Sequence, residues 1–561
     1  MMCYLTTLSI VSSFLVPKIR SNVFKVSCPC ITTAISSMSS TSQPSITAVS
    51  DSSVNRLLKQ TNAWCGVNGL MYTDGKVNWT PAPLSLIPNA FSSDSLLYAF
   101  KMQPIINKLV DGISRDREFL LDKLSTVSES DEFTKRILQL YMQVPESVVK
   151  NDLQCGILRS DYMINNDHRA LQVEINTIAS SFGYLSKKVS DYHRYILERN
   201  EKNEDLHTIV ASTLEASFAS AEDAKTKVKA QNVLNNPSSV ELAKVLALAH
   251  QQCKEENAAV LFIVQPNERN IADQRAFELQ LWEAHRVPVE FLTLAEVHAR
   301  ARLEGPSEDW GKQSLVIGPA PGTVGSEFTV SVAYFRAGYT PNDYPTEDEW
   351  AARKVIEQSS AVKCPNTGYQ LAGTKAIQAS LCLPGVLERF LTVEESVELR
   401  RCFAAQYSLV ALTDLSAEGA ELRTATEQAV AQATADGAPW VLKPQREGGG
   451  NNLYGVELSN FLKEHAGQSV LSGYVLMQRI FPLPQKTAFL RAGALQILPS
   501  ISELGVYGTY LSYGACPQET TNEEKVLCNA YGGYLLRTKP EGVDEGGVAS
   551  GYSVLSSVIL E

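Results

Sequence analysis

Lys443-Pro444-Gln445-Arg446-Glu447-Gly448-Gly449-Gly450-Asn451-Asn452 gathers an ammonium, a carboxylate, three consecutive glycines and paired amides, with Tyr454 close behind. Glycine packs nothing and loses the most backbone freedom on folding, so three in a row need a reason. Close approach of backbone N–H groups to an anion, most often phosphate, supplies one. Lys443 adds a point charge for the same group. Glu447 is a hard oxygen ligand suited to the Mg²⁺ that accompanies a nucleotide. For the glycines alone, a flexible surface loop is the plain alternative. The apolar run Pro439-Trp440-Val441-Leu442 reads as a short strand that delivers the loop to one place.

Three other stretches carry chemistry. Ala170 to Asn176 alternates, which puts Leu171, Val173 and Ile175 on one strand face and Gln172, Glu174 and Asn176 on the other. Glu174 and Asn176 are then oxygen ligands pointing the same way, although a solvated face is the commoner meaning of Glu-x-Asn. Gly368-Tyr369-Gln370-Leu371-Ala372-Gly373-Thr374-Lys375 imitates a P-loop but places Thr374 before Lys375, so it is not one. Lys375 remains able to reach phosphate, although an ordinary helix N-terminal turn is the commoner meaning of that spacing. Arg537-Thr538-Lys539 leads into Glu541-Gly542-Val543-Asp544-Glu545-Gly546-Gly547-Val548, the makings of a lid or of a long surface hairpin. The seven histidines show no ligand spacing and read as structural.

These residues need elements to hold them. Leu96 to Val110 and Asp131 to Tyr141 have helical spacing, and Ser53 to Asn200 reads as mainly helical with one strand. Residues 201–257 read as helices broken at Asn235-Asn236-Pro237. From 258 to 365, strands at Ala259 to Val264, Val287 to Leu292, Ser314 to Gly318 and Val330 to Tyr334 alternate with helices at Asn270 to His285 and Leu294 to Leu303. That alternation predicts a parallel sheet. Residues 366–437 are mostly helical, and strands dominate from 438 onward.

The chain's 561 residues suit roughly two to four domains. With 44% hydrophobic and 20% charged residues it has a real core. A net charge of −11 argues against a nucleic-acid partner. No apolar run approaches the ~18–20 residues of a membrane span. Eleven cysteines without a CxxC pair read as mostly reduced thiols. Residues 1–50 lack Asp and Glu, hold Lys18, Arg20 and Lys25, and are crowded with Ser and Thr. That is the composition of a transit peptide to a plastid or mitochondrion, and Met38 offers a second start for a cytosolic form. A disordered tail or a secretory signal are the alternatives.

Read together, these motifs resemble the eukaryotic glutathione synthetase family of ATP-grasp ligases, over essentially all of residues 53–561. Further matching segments are Arg159-Ser160-Asp161-Tyr162-Met163, Glu268-Arg269-Asn270-Ile271, Tyr334-Phe335-Arg336, Ala361-Val362-Lys363-Cys364-Pro365, Ile501-Ser502-Glu503-Leu504-Gly505 and Leu536-Arg537-Thr538-Lys539. The resemblance implies an α/β (α+β) ATP-grasp fold with an inserted parallel α/β substrate-binding domain and a helical N-terminal region. The implied division is 1–50 leader, 51–257 N-terminal region with the metal strand, 258–365 substrate domain and 366–561 nucleotide region. It implies ATP-dependent joining of γ-glutamylcysteine and glycine through an acylphosphate, in a homodimer.

Carried over by motif, Glu174, Asn176 and Glu447 resemble the ligands of Mg²⁺, two ions being implied. Lys375 and Lys443 resemble the phosphate lysines. Gly448, Gly449, Gly450, Asn451, Asn452 and Tyr454 would cover ATP. Met477, Gln478, Arg479 and Ile480 would line the adenine pocket, and Glu503 would hold the ribose. Lys539 and Glu545 fall at ATP-contact positions. Arg159, Ser180, Ser181, Glu268, Asn270, Gln274, Arg336 and Tyr339 match peptide-substrate contacts. Arg537 lies where it stabilises transferring charge, and Val548 and Ala549 match the loop over the product. Two departures stand out: Gln478-Arg479 replaces a Glu-Lys pair found in other members, and Ala549-Ser550-Gly551 replaces the common Ala-Ala-Gly. Relatives that use β-alanine vary in this last loop, so homoglutathione synthesis is the alternative activity, and a non-catalytic nucleotide-binding relative is a third reading.

Overall fold

The computed structural model describes residues 51–73, 78–218, 220–305, 309–413, 419–446, 450–491, 493–514, 525–548 and 551–561. Residues 1–50 lie outside these, as do Glu447, Gly448, Gly449, Ala549 and Ser550.

The largest sheet draws its seven strands from both ends of the described chain. Their order is Gln485–Arg491, Leu84–Ser85, Val554–Ser556, Lys525–Pro540, Ala494–Tyr513, Gln154–Ile164 and Ala170–Asn176, and Gln485–Arg491 also pairs with Ala494–Tyr513. Helix Ser93–Arg115 packs on this sheet. Its Leu96, Ala99, Met102, Ile106, Leu109, Val110 and Ile113 follow the three-and-four spacing of one helix face and join Leu158, Tyr162, Leu504 and Val506 in the core. Strand Gln154–Ile164 adds to the single strand expected between Ser53 and Asn200. Nine successive residues of it are buried, so it shows no alternation, and Arg159 and Asp161 interrupt its apolar run.

Ala170–Asn176 is a strand as expected, but its faces need correction. A bulge sits where the pairing jumps from Asp161↔Glu174 to Tyr162↔Gln172, skipping Val173. An extra residue reverses the alternation beyond it. Leu171 therefore packs with Val441, Met477 and Ile480, whereas Ile175 joins the main core.

In residues 258–365 the parallel pairing holds at the centre of the sheet. Ala258–Ile263 is parallel to Val289–Leu292 and Phe328–Phe335, and Val362–Cys364 is parallel to Phe328–Phe335. An antiparallel edge is added by Ser314–Ile317 and Ala301–Glu304. The helix expected over Leu294 to Leu303 accordingly ends at Arg300, because pairing with Ser314–Ile317 overrides local helix preference. Helix Ile271–His285 carries Asn270 at its N-cap.

A third sheet is antiparallel throughout: Gln406–Ser408, Tyr474–Gln478, Trp440–Pro444 and Leu453–Tyr454. Helices Ala420–Ala435 and Gly455–Glu464 back it over Leu409, Ala429, Leu442, Leu458 and Leu476. The Leu171, Val441, Met477 and Ile480 cluster ties this sheet to the largest one.

Candidate active site

A cavity of about 440 Å³ opens between those two sheets. Its floor is a stripe of charges in cross-strand register. Arg537 faces Glu503, Gly505 faces Asp161, and Asp161 and Arg159 face Glu174 and Asn176. Asp161 is fully buried and is the hub of the stripe. It accepts from Arg159 Nε (2.7 Å) and Nη2 (2.9 Å), from Asn176 Nδ2 (3.0 Å) and from Arg537 Nη2 (2.8 Å). Arg537 also pairs with Glu503. Gly505 makes the hub possible, since a Cβ there would stand 2.7 Å from Arg159 Cδ and 2.8 Å from Asp161 Oδ1.

The two lysines arrive from the other side. Lys375 opens the short helix Lys375–Leu381 and pairs with Glu174 at 3.1 Å. Lys443, at the end of Trp440–Pro444, donates to the Val173 carbonyl at the bulge (2.8 Å). Burial pushes the Glu174 carboxyl up, but Lys375, Lys443 and Arg537 outweigh it and hold it well below the usual carboxylate range. Glu503 goes the other way, because burial, together with the carboxylates of Asp161 and Glu174, raises it in spite of Arg537. Lys539 is pushed down by burial. Two buried ammonium groups beside a carboxylate kept ionised make a seat for a polyanion and a divalent cation together.

Glu174 and Asn176 both line the cavity. Because Asn176 donates through Nδ2, its carbonyl oxygen is left as the ligand atom. A carboxylate and an amide oxygen fit a hard cation such as Mg²⁺. Among the described residues no cluster of three or more His, Cys, Asp or Glu forms a ready-made metal site, and the third expected ligand, Glu447, lies outside them.

At one end, Val441, Met477 and Ile480 give the cavity an apolar wall that suits a flat base, with Gln478 beside them. The N–H groups of Gln478 and Arg479 are already spent on the carbonyls of Ala405 and Pro439, both at 2.8 Å. At the mouth, Gly450 N–H donates to Glu545 Oε2 (2.8 Å), Lys539 donates to the Asp544 carbonyl, and Arg479 pairs with Asp544 while lying 5.3 Å from the Tyr454 ring centre. Asn451, Asn452 and Val548 line the same mouth.

Of the residues expected to touch a peptide, Arg159, Ser181 and Tyr339 line this cavity, whereas Ser180, Glu268, Asn270, Gln274 and Arg336 do not. Four of the latter form a second polar cluster with Asp273. Glu268 accepts from Asn270 N–H (2.7 Å) and Gln274 Nε2 (3.1 Å), and Arg336 pairs with Asp273 (3.1 Å). Asp273 also accepts the N–H groups of Phe182 (3.0 Å) and Tyr184 (2.9 Å). Between the two clusters, Ala179 (φ 54°) and Phe182 (φ 76°) adopt left-handed backbone without being glycine, which is strain of the kind held at ligand sites. Tyr507 steadies that loop by donating to the Ser181 carbonyl (2.6 Å).

Sequence reasoning missed three acids: Asp161, Asp273 and Asp544. Arg159 and Asp161 stand two apart on a strand, and that spacing was the available signal for the first. Asp273 acts through contacts distant in sequence and nothing local marks it, whereas Asp544 stands in the lid stretch already singled out and pairs with the distant Arg479.

Residues 51–560 match the family model described as eukaryotic glutathione synthase, ATP binding domain. A chloroplastic glutathione synthetase of Arabidopsis thaliana is 37% identical, over 91% of this chain and 86% of its own. The glutathione synthetase of Dictyostelium discoideum is 35% identical over 91% and 99%, and that of Homo sapiens 35% over 85% and 89%. In fold, the chain resembles a glutathione synthetase-like effector from Globodera pallida in its apo form, with a TM-score of 0.64 at 19% identity over 91% of this chain and 98% of that one.

Proposed function

Since the chain belongs to the eukaryotic glutathione synthetase family, ATP-binding ligases of glutathione biosynthesis, we propose that it joins γ-glutamylcysteine to glycine at the expense of ATP and Mg²⁺. The reading rests on one observation above all: Lys375, Lys443, Glu174, Asn176 and Arg537, distant in sequence, open on one cavity. ATP lies with its base against Met477 and Ile480, while the N–H groups of Gln478 and Arg479 between them are spent on the carbonyls of Ala405 and Pro439. Lys375 and Lys443 neutralise its phosphates, and Glu503 takes the ribose hydroxyls. Glu174 and Asn176, with Glu447, would hold Mg²⁺, which would supply neutralisation of phosphate charge.

The γ-phosphoryl group passes to an oxygen of the cysteinyl carboxylate and ADP departs. The glycine amine then attacks the activated carbonyl carbon and phosphate leaves. No step needs a protein nucleophile. Positioning and fixed charge supply the rate, with Arg537 facing the transferring group, and the loop at Val548 excludes water. We also propose that residues 1–50 direct import into an organelle. Relatives from Arabidopsis thaliana and Solanum lycopersicum described as chloroplastic favour a plastid. A homodimer is proposed from the family alone.

The test is phosphate release from MgATP by the purified full chain, with γ-glutamylcysteine and either glycine or β-alanine. Release that requires the dipeptide and prefers glycine is expected. Folded protein that binds ATP yet releases no phosphate with either acceptor would overturn the reading, and preference for β-alanine would replace glycine as the substrate.

A further inference from the structure

Resting on that reading, we infer that Tyr72 is a further specificity-determining residue, its hydroxyl donating to the α-carboxylate of the γ-glutamyl head of the dipeptide.

Tyr72 lies on Met71–Thr73, which pairs with Trp79–Pro81 in a small sheet far in sequence from every motif above. Thr73 N–H donates to the Arg269 carbonyl (3.1 Å), fastening that sheet to the turn that carries Glu268 and Asn270. The Tyr72 ring sits 6.3 Å from the ring of Phe182, the strained residue whose N–H is held by Asp273. Tyr72 is 5% exposed, and its hydroxyl has no partner among the described residues.

It has company. Both amide atoms of Asn270 and Nη1 of Arg336 are likewise buried without a partner. Asn270 occupies an N-cap, where an asparagine side chain ordinarily bonds the first helix N–H groups, yet it makes no such bond. Buried polar groups are nearly always hydrogen-bonded, so four open atoms in one cluster mark a seat for a ligand. A lone open hydroxyl such as that of Tyr531 carries no such meaning.

The open atoms also have a definite chemistry. Arg336 Nη1 and Asn270 Nδ2 are donors, and Asn270 Oδ1 is an acceptor. Burial pushes the Tyr72 phenol up, with Asp273 and Glu268 adding to the effect, so it stays neutral and is a third donor. Three donors suit a carboxylate. One acceptor beside the Glu268 carboxylate suits an ammonium. An amino-acid head carries both, and the γ-linked glutamyl residue of the dipeptide leaves that head free.

Tyr72→Phe in the full chain tests this, because phenylalanine keeps the ring and its Phe182 contact. The KM for γ-glutamylcysteine should rise about tenfold, as for loss of one hydrogen bond to a charged group. The KM values for ATP and glycine and the thermal midpoint should hold. With γ-aminobutyrylcysteine, which lacks the α-carboxylate, wild type and variant should have equal KM. An unchanged dipeptide KM, or the same rise with the analogue, would overturn the assignment, as would a parallel shift of all three KM values with a lowered midpoint. Failure of the wild type to release phosphate would instead sink the parent reading.

Discussion

The two polar clusters differ in how far their buried groups are already spent: Arg537 Nε stands open in one, four atoms in the other. On the nucleotide side the charges are already paired with one another: Lys375 with Glu174, Arg537 with Glu503 and Asp161, Arg159 with Asp161. Around Asn270 and Arg336 the groups are buried and several stand open. A self-paired cluster in an open cavity yields to whatever brings more charge, which a nucleotide with its metal does. An open cluster in a closed place accepts only the ligand whose donors and acceptors match, because a mismatch leaves its groups unpaired in a low dielectric. On the proposed function, binding strength and discrimination are thus separated in space.

The largest expected effect sharpens that division. Lys443→Ala removes a charge from the transferring phosphate and one of the cations that keep Glu174 ionised. Phosphate release should fall about 10²- to 10³-fold, the usual loss of one fixed electrostatic contact at a reacting group. The dipeptide KM should stay within about twofold. A dipeptide KM that moves as far as the rate would break the comparison.

Salt probes the same contrast more gently. Raising the salt from about 0.05 to 0.3 M shortens the range over which the cavity's charges draw in a polyanion still in solution. The KM for ATP should rise about threefold, whereas that for γ-glutamylcysteine, seated among buried groups, should barely move. Equal salt dependence would mean that the second cluster is wetter in solution than its burial indicates.

The nucleotide side was the more legible in sequence because its chemistry is local. Lys443 and the glycines share one short stretch, Glu174 and Asn176 are two apart on a strand, and Lys375 starts a helix. The largest sheet was less legible. Strand Gln154–Ile164 is buried end to end and carries Arg159 and Asp161 inside, so it has neither alternation nor an unbroken apolar run. The bulge at Val173 reverses a face that strict alternation had fixed, and nothing in Gln-Val-Glu announces it. Tyr72 was invisible for another reason. A single tyrosine has no motif, and what distinguishes it is three unpaired atoms contributed by residues roughly two hundred positions away or more.

The smallest expected effect lies at the cavity mouth, where Arg479 and Asp544 join the base-binding strand to the glycine loop at Val548. Asp544→Asn has two opposed consequences. It removes an anion near a bound polyanion, which tightens ATP. It also releases the mouth, which loosens ATP and admits water. Both partners are partly exposed, 30% and 43% by side chain, so the pair contributes only about 0.2–1 kcal/mol. The two effects on the KM for ATP are then of similar size and should nearly cancel, leaving it within about twofold. Water entry has no such opposing effect. Phosphate release with dipeptide but without glycine, which reports hydrolysis of the activated carboxyl group, should rise about two- to fivefold. Arg479→Ala should give the same rise together with weaker ATP binding, because it loses a cation as well as the contact. If glycine-independent release is unchanged in both variants, the pair does not guard the mouth, and exclusion of water rests on the Gly450–Glu545 contact and the loop at Val548 alone.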